Sequence, residues 1–184
     1  MRSLITLALV ALASSALAFV PLAGAVGAQQ PEVGHLNVDR GRGILVLEVR
    51  GSVLGRLTNG SITVTDRTPA DAYEASINGR RIAVERRLGP FKWYVRGQGL
   101  RFRMVGGGYR IVIRGSGIAL SAVGRGSVLL DGEPRFLLDD MGVYSLEEGI
   151  DCSVEPATCT PIADEPVRLK LEPPPAAPPG RQER

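Results

Sequence analysis

Residues 100–114 read Leu-Arg-Phe-Arg-Met-Val-Gly-Gly-Gly-Tyr-Arg-Ile-Val-Ile-Arg, and this stretch decides the fold class. Leu100, Phe102 and Met104 alternate with Arg101 and Arg103, while Tyr109, Ile111 and Ile113 alternate with Arg110 and Arg114. A period of two is that of a strand with one face buried and one wet. If Gly106-Gly107 is a two-residue turn, Met104 faces Tyr109, Phe102 faces Ile111 and Leu100 faces Ile113. In that register Arg103 opposes Arg110, and Arg101 and Arg114 lie on the same face. The expectation is one electropositive surface made of these four arginines. Like charges opposed on a sheet cost on the order of 0.2–1 kcal/mol, so an anion is expected to compensate.

Outward from this stretch the pattern repeats. Residues 44–49, 53–57, 61–65, 73–77, 81–85, 91–95, 118–123 and 128–130 are short β-prone runs, separated by glycine-bearing segments at a spacing of about 8–12 residues. Asn59-Gly60, Asn78-Gly79 and Asp131-Gly132 lie between such runs and suit the positive φ of tight hairpins. No segment of similar length has the 3.6-residue apolar period of a helix. The sequence therefore predicts a single small all-β domain, a β-sandwich or rolled antiparallel sheet with glycine-rich hairpins, with a β-solenoid as the alternative. The solenoid enters because Val49-Arg50-Gly51-Ser52, followed by Gly60-Ser61-Ile62, is echoed by Ile113-Arg114-Gly115-Ser116, followed by Gly126-Ser127-Val128. Two copies are fewer than the three or more that a repeat array needs.

The ends of the 184-residue chain have other compositions. Residues 1–28 begin with Arg2, continue through an apolar run at 4–13 and end in small residues, the pattern of a cleavable secretory signal. Cleavage is expected after Ala28, with Ala18 as the second site that fits. Residues 29–40 are expected to form a flexible leader, 41–150 the all-β domain, and 151–171 an acidic segment bearing a disulfide. Residues 172–184 are proline-rich and are expected to be a disordered tail. No second apolar run long enough for a membrane span follows the signal, so the mature product is expected to be secreted or extracytoplasmic and associated with the envelope.

Cys152 and Cys159 are the only cysteines, and an even pair in an exported chain reads as a disulfide. No catalytic residue is assigned. The single histidine, His35, falls in the leader, where a catalytic triad would have little support. Lys92 and Lys170, the only lysines, lack a Ser-x-x-Lys context. The glycine run at 106–108 lacks the Lys-Ser/Thr of a phosphate loop. Asp139-Asp140 and Glu147-Glu148 are adjacent acids, which on a strand point to opposite faces. Metal ligands are not clustered, and no cofactor is expected.

Recognition is the remaining class. Phe91, Trp93 and Val95 alternate with Lys92, Tyr94 and Arg96, so the first three are expected to face the core, while Trp93 or Tyr94 would carry any bound carbohydrate. Charge is unevenly spread. Residues 40–125 hold sixteen basic and five acidic side chains, whereas 131–165 hold one basic and ten acidic. Either the acidic segment covers the basic body or the two meet different partners. The reading is a non-enzymatic exported bacterial β module with a structural or anionic-polymer-binding role. Its expected partner is an anionic cell-wall polymer or another envelope protein. Nucleic acid is not expected, because no aromatic side chains interleave with the basic stripe for base stacking. A carbohydrate- or protein-binding module is the alternative, and a hydrolase comes last.

Overall fold

The computed structural model describes residues 33–71, 75–133 and 141–172. The expected signal peptide, the proline-rich tail from residue 173, and Tyr73, Asp139 and Asp140 lie outside the described residues. The described residues form one antiparallel sheet of seven strands that is not closed into a barrel. In chain order these are β1 (Gly34–Asp66), β2 (Ser76–Gly89), β3 (Lys92–Met104), β4 (Gly108–Gly132), β5 (Val143–Ser145), β6 (Thr160–Pro161) and β7 (Val167–Leu171). The main path runs β2-β3-β1-β4-β7, with β5 pairing β1 and β6 pairing β5.

β1 and β4 pair in two registers. Residues 44–50 of β1 have β4 along both edges, residues 108–114 on one side and 125–131 on the other. The sheet thus crosses the molecule in two courses. The first passes through residues 92–97, 61–66, 109–114, 44–49 and 126–131 and ends on β7. The second passes through 98–104, 52–57, 118–123 and 35–38 and ends on β5. Val53, Leu57, Leu100 and Phe102 of the second course and Ile62, Val64, Ile111 and Ile113 of the first belong to one buried cluster. The sheet is therefore rolled over its own inner face, with the alternate, polar positions turned outward.

Glycine makes the bends possible. Gly97 faces Gly60, Gly60 faces Gly115, Gly115 faces Gly43, and Gly43 faces Gly132, a row running across the strands. A Cβ on Gly60 would strike the carbonyl oxygen of Arg114, and one on Gly115 would strike that of Asn59. Both residues have φ of 149°, so close approach and backbone conformation each call for glycine. The sequence echo lies here. Gly51 faces Gly124 as Gly115 faces Gly60, so the two copies mark two bends of one paired ribbon rather than turns of a solenoid. The counterpart of Gly60 is Gly124, not the Gly126 that the sequence match suggested.

Several sequence expectations are corrected. The runs at 44–49, 53–57 and 61–65 are parts of the single strand β1. Asn59-Gly60 is a bend inside it, paired on both edges, and Asn78-Gly79 lies within β2. The hairpin around Gly106-Gly107 does not form, because β1 lies between β3 and β4. Gly106 and Gly107 do turn, with φ of 69° and 72°, but they carry the chain across the bend of β1, where the Gly51 N–H donates to the Gly107 carbonyl at 3.0 Å. Residues 34–40 are strand rather than flexible leader. His35 has one-fifth of its side chain exposed, with Nε2 3.8 Å from Glu148 Oε1.

The disulfide between Cys152 and Cys159 is formed. It closes a short loop around a single 3-10 turn, Pro156–Thr158, and the Cys152 N–H donates to Asn37 Oδ1 at 3.0 Å. The bond therefore fixes a local turn against β1.

Candidate functional site

The expected four-arginine surface rested on the hairpin, and the observed ladders divide those residues. Arg101 pairs with Arg56 and Asn78, and Arg103 with Leu54 and Ser76, all in the second course. Arg110 pairs with Glu48 and Thr65, and Arg114 with Ile44 and Ser61, all in the first. Arg110 is also neutralised: its Nε lies 3.0 Å from Glu48 Oε1, which Arg67 Nη2 approaches at 3.3 Å.

An opposed arginine pair does exist, between residues the hairpin did not join. Arg56 sits directly across the β1–β3 ladder from Arg101, and both are exposed. The alternation of Val53 and Leu57 with Leu54 and Arg56 is what turns Arg56 outward, because the apolar positions are held in the core. Asn78 of β2 and Ala119 of β4 continue the same row. This row floors a cleft of about 720 Å³, also lined by Arg80, Arg40 and Asp39. Four guanidinium groups thus meet one carboxylate. Asp39 is buried and approaches the Nε of Arg40 at 3.3 Å.

Of the described residues of the acidic segment, Asp151 reaches the edge of this cleft. An adjoining hollow of about 410 Å³ shares Asp39, Arg56 and Arg101 with the cleft and adds Asp151 and Ser153. The Asp151 carboxylate accepts hydrogen bonds from the Ser153 hydroxyl at 2.7 Å and its N–H at 2.9 Å. Those bonds, and more weakly the positive charge of Arg56, hold the Asp151 carboxyl below its ordinary value. Asp151 is exposed and committed to this local turn.

Trp93 and Tyr94 lie on β3. Trp93 is half-buried against the core, and the Arg87 guanidinium covers its ring at 4.3 Å from the centroid. Val95 is buried as expected, but Phe91 stands 47% exposed in the turn before β3. Tyr94 pairs with Thr63 and Arg86.

Beneath the loop after β1, Tyr109 is 1% exposed and its hydroxyl has no partner among the described residues. Burial, then the nearby charges of Asp66 and Asp71, push the phenol above its ordinary value. Thr68 ties the loop down, donating from Oγ1 to Asp71 Oδ2 at 2.5 Å and accepting the Gly108 N–H at 2.7 Å.

Among the described residues no three His, Cys, Asp or Glu side chains are grouped to hold a metal ion, and no helix is long and apolar enough to cross a membrane. Comparison with protein-family models, curated proteins and solved structures finds no match for this chain.

Proposed function

We propose that this chain is an exported, non-enzymatic β module that binds an anionic polymer at the bacterial envelope, with the Arg56–Arg101 cleft as its contact surface. The observation that carries the reading is the register of β1 on β3, which sets two arginines side by side on a rigid sheet. Such a pair is disfavoured until an anion lies between the guanidinium groups, and arginine presents a donor fork that matches phosphate and carboxylate. The signal-like residues 1–28 support export, and the Cys152–Cys159 bond suits an oxidising compartment. An extended polymer also fits an open cleft on a sheet face, where the repeating charge of the ligand can add weak contacts.

The test is retention of the full mature chain on immobilised linear polyphosphate as salt rises. Arg56→Gln/Arg101→Gln should elute at clearly lower salt, whereas Arg110→Gln, whose partner is Glu48, should elute near the parent. Equal elution of the double variant and the parent would remove the cleft from the reading. Export is tested separately by amino-terminal sequencing of secreted material, which should begin at Gln29; an intact Met1 would overturn export without touching the cleft.

A further inference from the structure

β2 is a 14-residue strand in which no residue is buried. It pairs with β3 along one edge, and among the described residues nothing pairs with the other. A strand with no fully buried residue and an open edge presents a row of backbone donors and acceptors to any chain that arrives extended, although Ile77 packs on the core from one face. Two features set the chemistry of that chain. β2 carries Arg80, Arg81, Arg86 and Arg87 against the single acid Glu85. It also exposes Ile82 at 41% and Leu88 at 53%.

The regular part of the edge is residues 76–82. The ladder with β3 is in step there and slips only between Ile82 and Val84 and again between Arg87 and Gly89. Pairing with β3 resumes at Val84, but a slip of this kind bends the strand, so the straight template is about the first half of β2.

We infer that the open edge of residues 76–82 receives an extended acidic segment of another protein as an added strand, held by backbone hydrogen bonds, with a carboxylate against Arg81, a side chain on Ile82, and Arg86 beyond the slip adding to the positive field. A second copy of β2 is a poor occupant, since it would double the arginine excess along the seam. A sugar or phosphate polymer could meet the arginines but lacks the alternating amides that match the edge.

The probe is a synthetic ten-residue peptide alternating glutamate with valine, added to the full mature chain and followed by amide hydrogen exchange. Exchange should slow at least tenfold at alternate residues of 76–82 and stay unchanged in β7, the opposite edge. Arg81→Glu/Arg86→Glu, at two exposed positions, should weaken peptide binding at least tenfold, and Arg56→Gln/Arg101→Gln, farther from the edge, should weaken it by less than about threefold. A peptide with alternate backbone amides methylated should give no protection. Equal protection by the methylated peptide, or by polyphosphate of matched charge, would overturn the added strand in favour of simple charge attraction. Protection of 76–82 that grows with protein concentration in the absence of peptide would overturn it in favour of a second copy.

Discussion

In β1, Val53, Leu57, Ile62 and Val64 are all buried, whereas in β2 the large aliphatic residues Ile82 and Leu88 are 41% and 53% exposed. Both strands are antiparallel, both contain glycine, and both carry arginine and aliphatic residues. What separates them is company. β1 has a hydrogen-bonded neighbour on each edge through most of its length and a second course of the sheet across its inner face; β2 has one neighbour, and only its half-buried Ile77 is placed against the core cluster. Burial, and with it the stabilisation gained from apolar surface, follows from topology at least as much as from the side chain.

The comparison breaks if substitutions in the two strands cost the same. The largest contrast is expected between glycines. Gly115→Val on β4, opposite Gly60 of β1, drives a side chain into backbone and should cost more than about 4 kcal/mol, enough to prevent folding. Gly89→Ala at the end of β2 meets nothing within 4 Å and should stay within about 0.5 kcal/mol. Circular dichroism and urea unfolding check both.

A smaller contrast is expected between aliphatic positions. Leu57→Ala leaves a cavity beside Leu100 and Ile118 and should cost about 2–5 kcal/mol in urea unfolding. Ile82→Ala should cost less than about 0.5 kcal/mol. If Ile82→Ala costs as much as Leu57→Ala, β2 is covered in solution by something that protects it. Reduction of Cys152–Cys159 comes next. Its loop is short, so chain-entropy arithmetic limits the loss to about 2.5 kcal/mol, and amide exchange should quicken around residues 143–161 while the β1–β4 ladder stays protected.

The smallest effect is on pH dependence and involves Tyr109, the core residue of β4 that pairs with both Val49 and Asp66 of β1. Its phenol is held above its ordinary value of 10 by burial, then by Asp66 and Asp71. The folded state therefore binds that proton more tightly than the unfolded chain. Stability from this source is fully present below pH 10 and is lost as pH rises through the raised pKa. Tyr109→Phe should flatten the alkaline limb of a stability–pH profile, and an unchanged limb would assign it to other groups.

The fold class was legible because alternation reports which face of a strand is buried. Leu100, Phe102, Met104, Ile111 and Ile113 are all in the core as read. Which strand pairs with which was not legible, because an alternating strand satisfies its pattern beside any neighbour with the same pattern. The glycine run 106–108 looked like a hairpin turn and instead steps across β1, and the Asn-Gly pairs looked like turns but lie within strands. The site suffered accordingly. The argument that opposed arginines attract an anion carries over, but the pair is Arg56 and Arg101, 45 positions apart in sequence. Arg80 joins them along the β2–β3 ladder, and Arg40 through Gly41, which pairs with Ile118 of β4.

The double pairing of residues 44–50 also sets a schedule. Every strand that pairs with β1 lies downstream, from residue 92 in β3 to residue 145 in β5. A chain stopped before residue 125 leaves 44–50 with one edge open, and no local hairpin within β1 can shelter it meanwhile. Contacts this distant in sequence slow the search for the native state, to the millisecond-to-second range typical of sheet-dominated domains. During that interval a 33-residue strand rich in valine and leucine is an adhesive template for other nascent copies. Yield of this protein in a cell should therefore depend on how it is kept apart from its siblings before its last strands emerge.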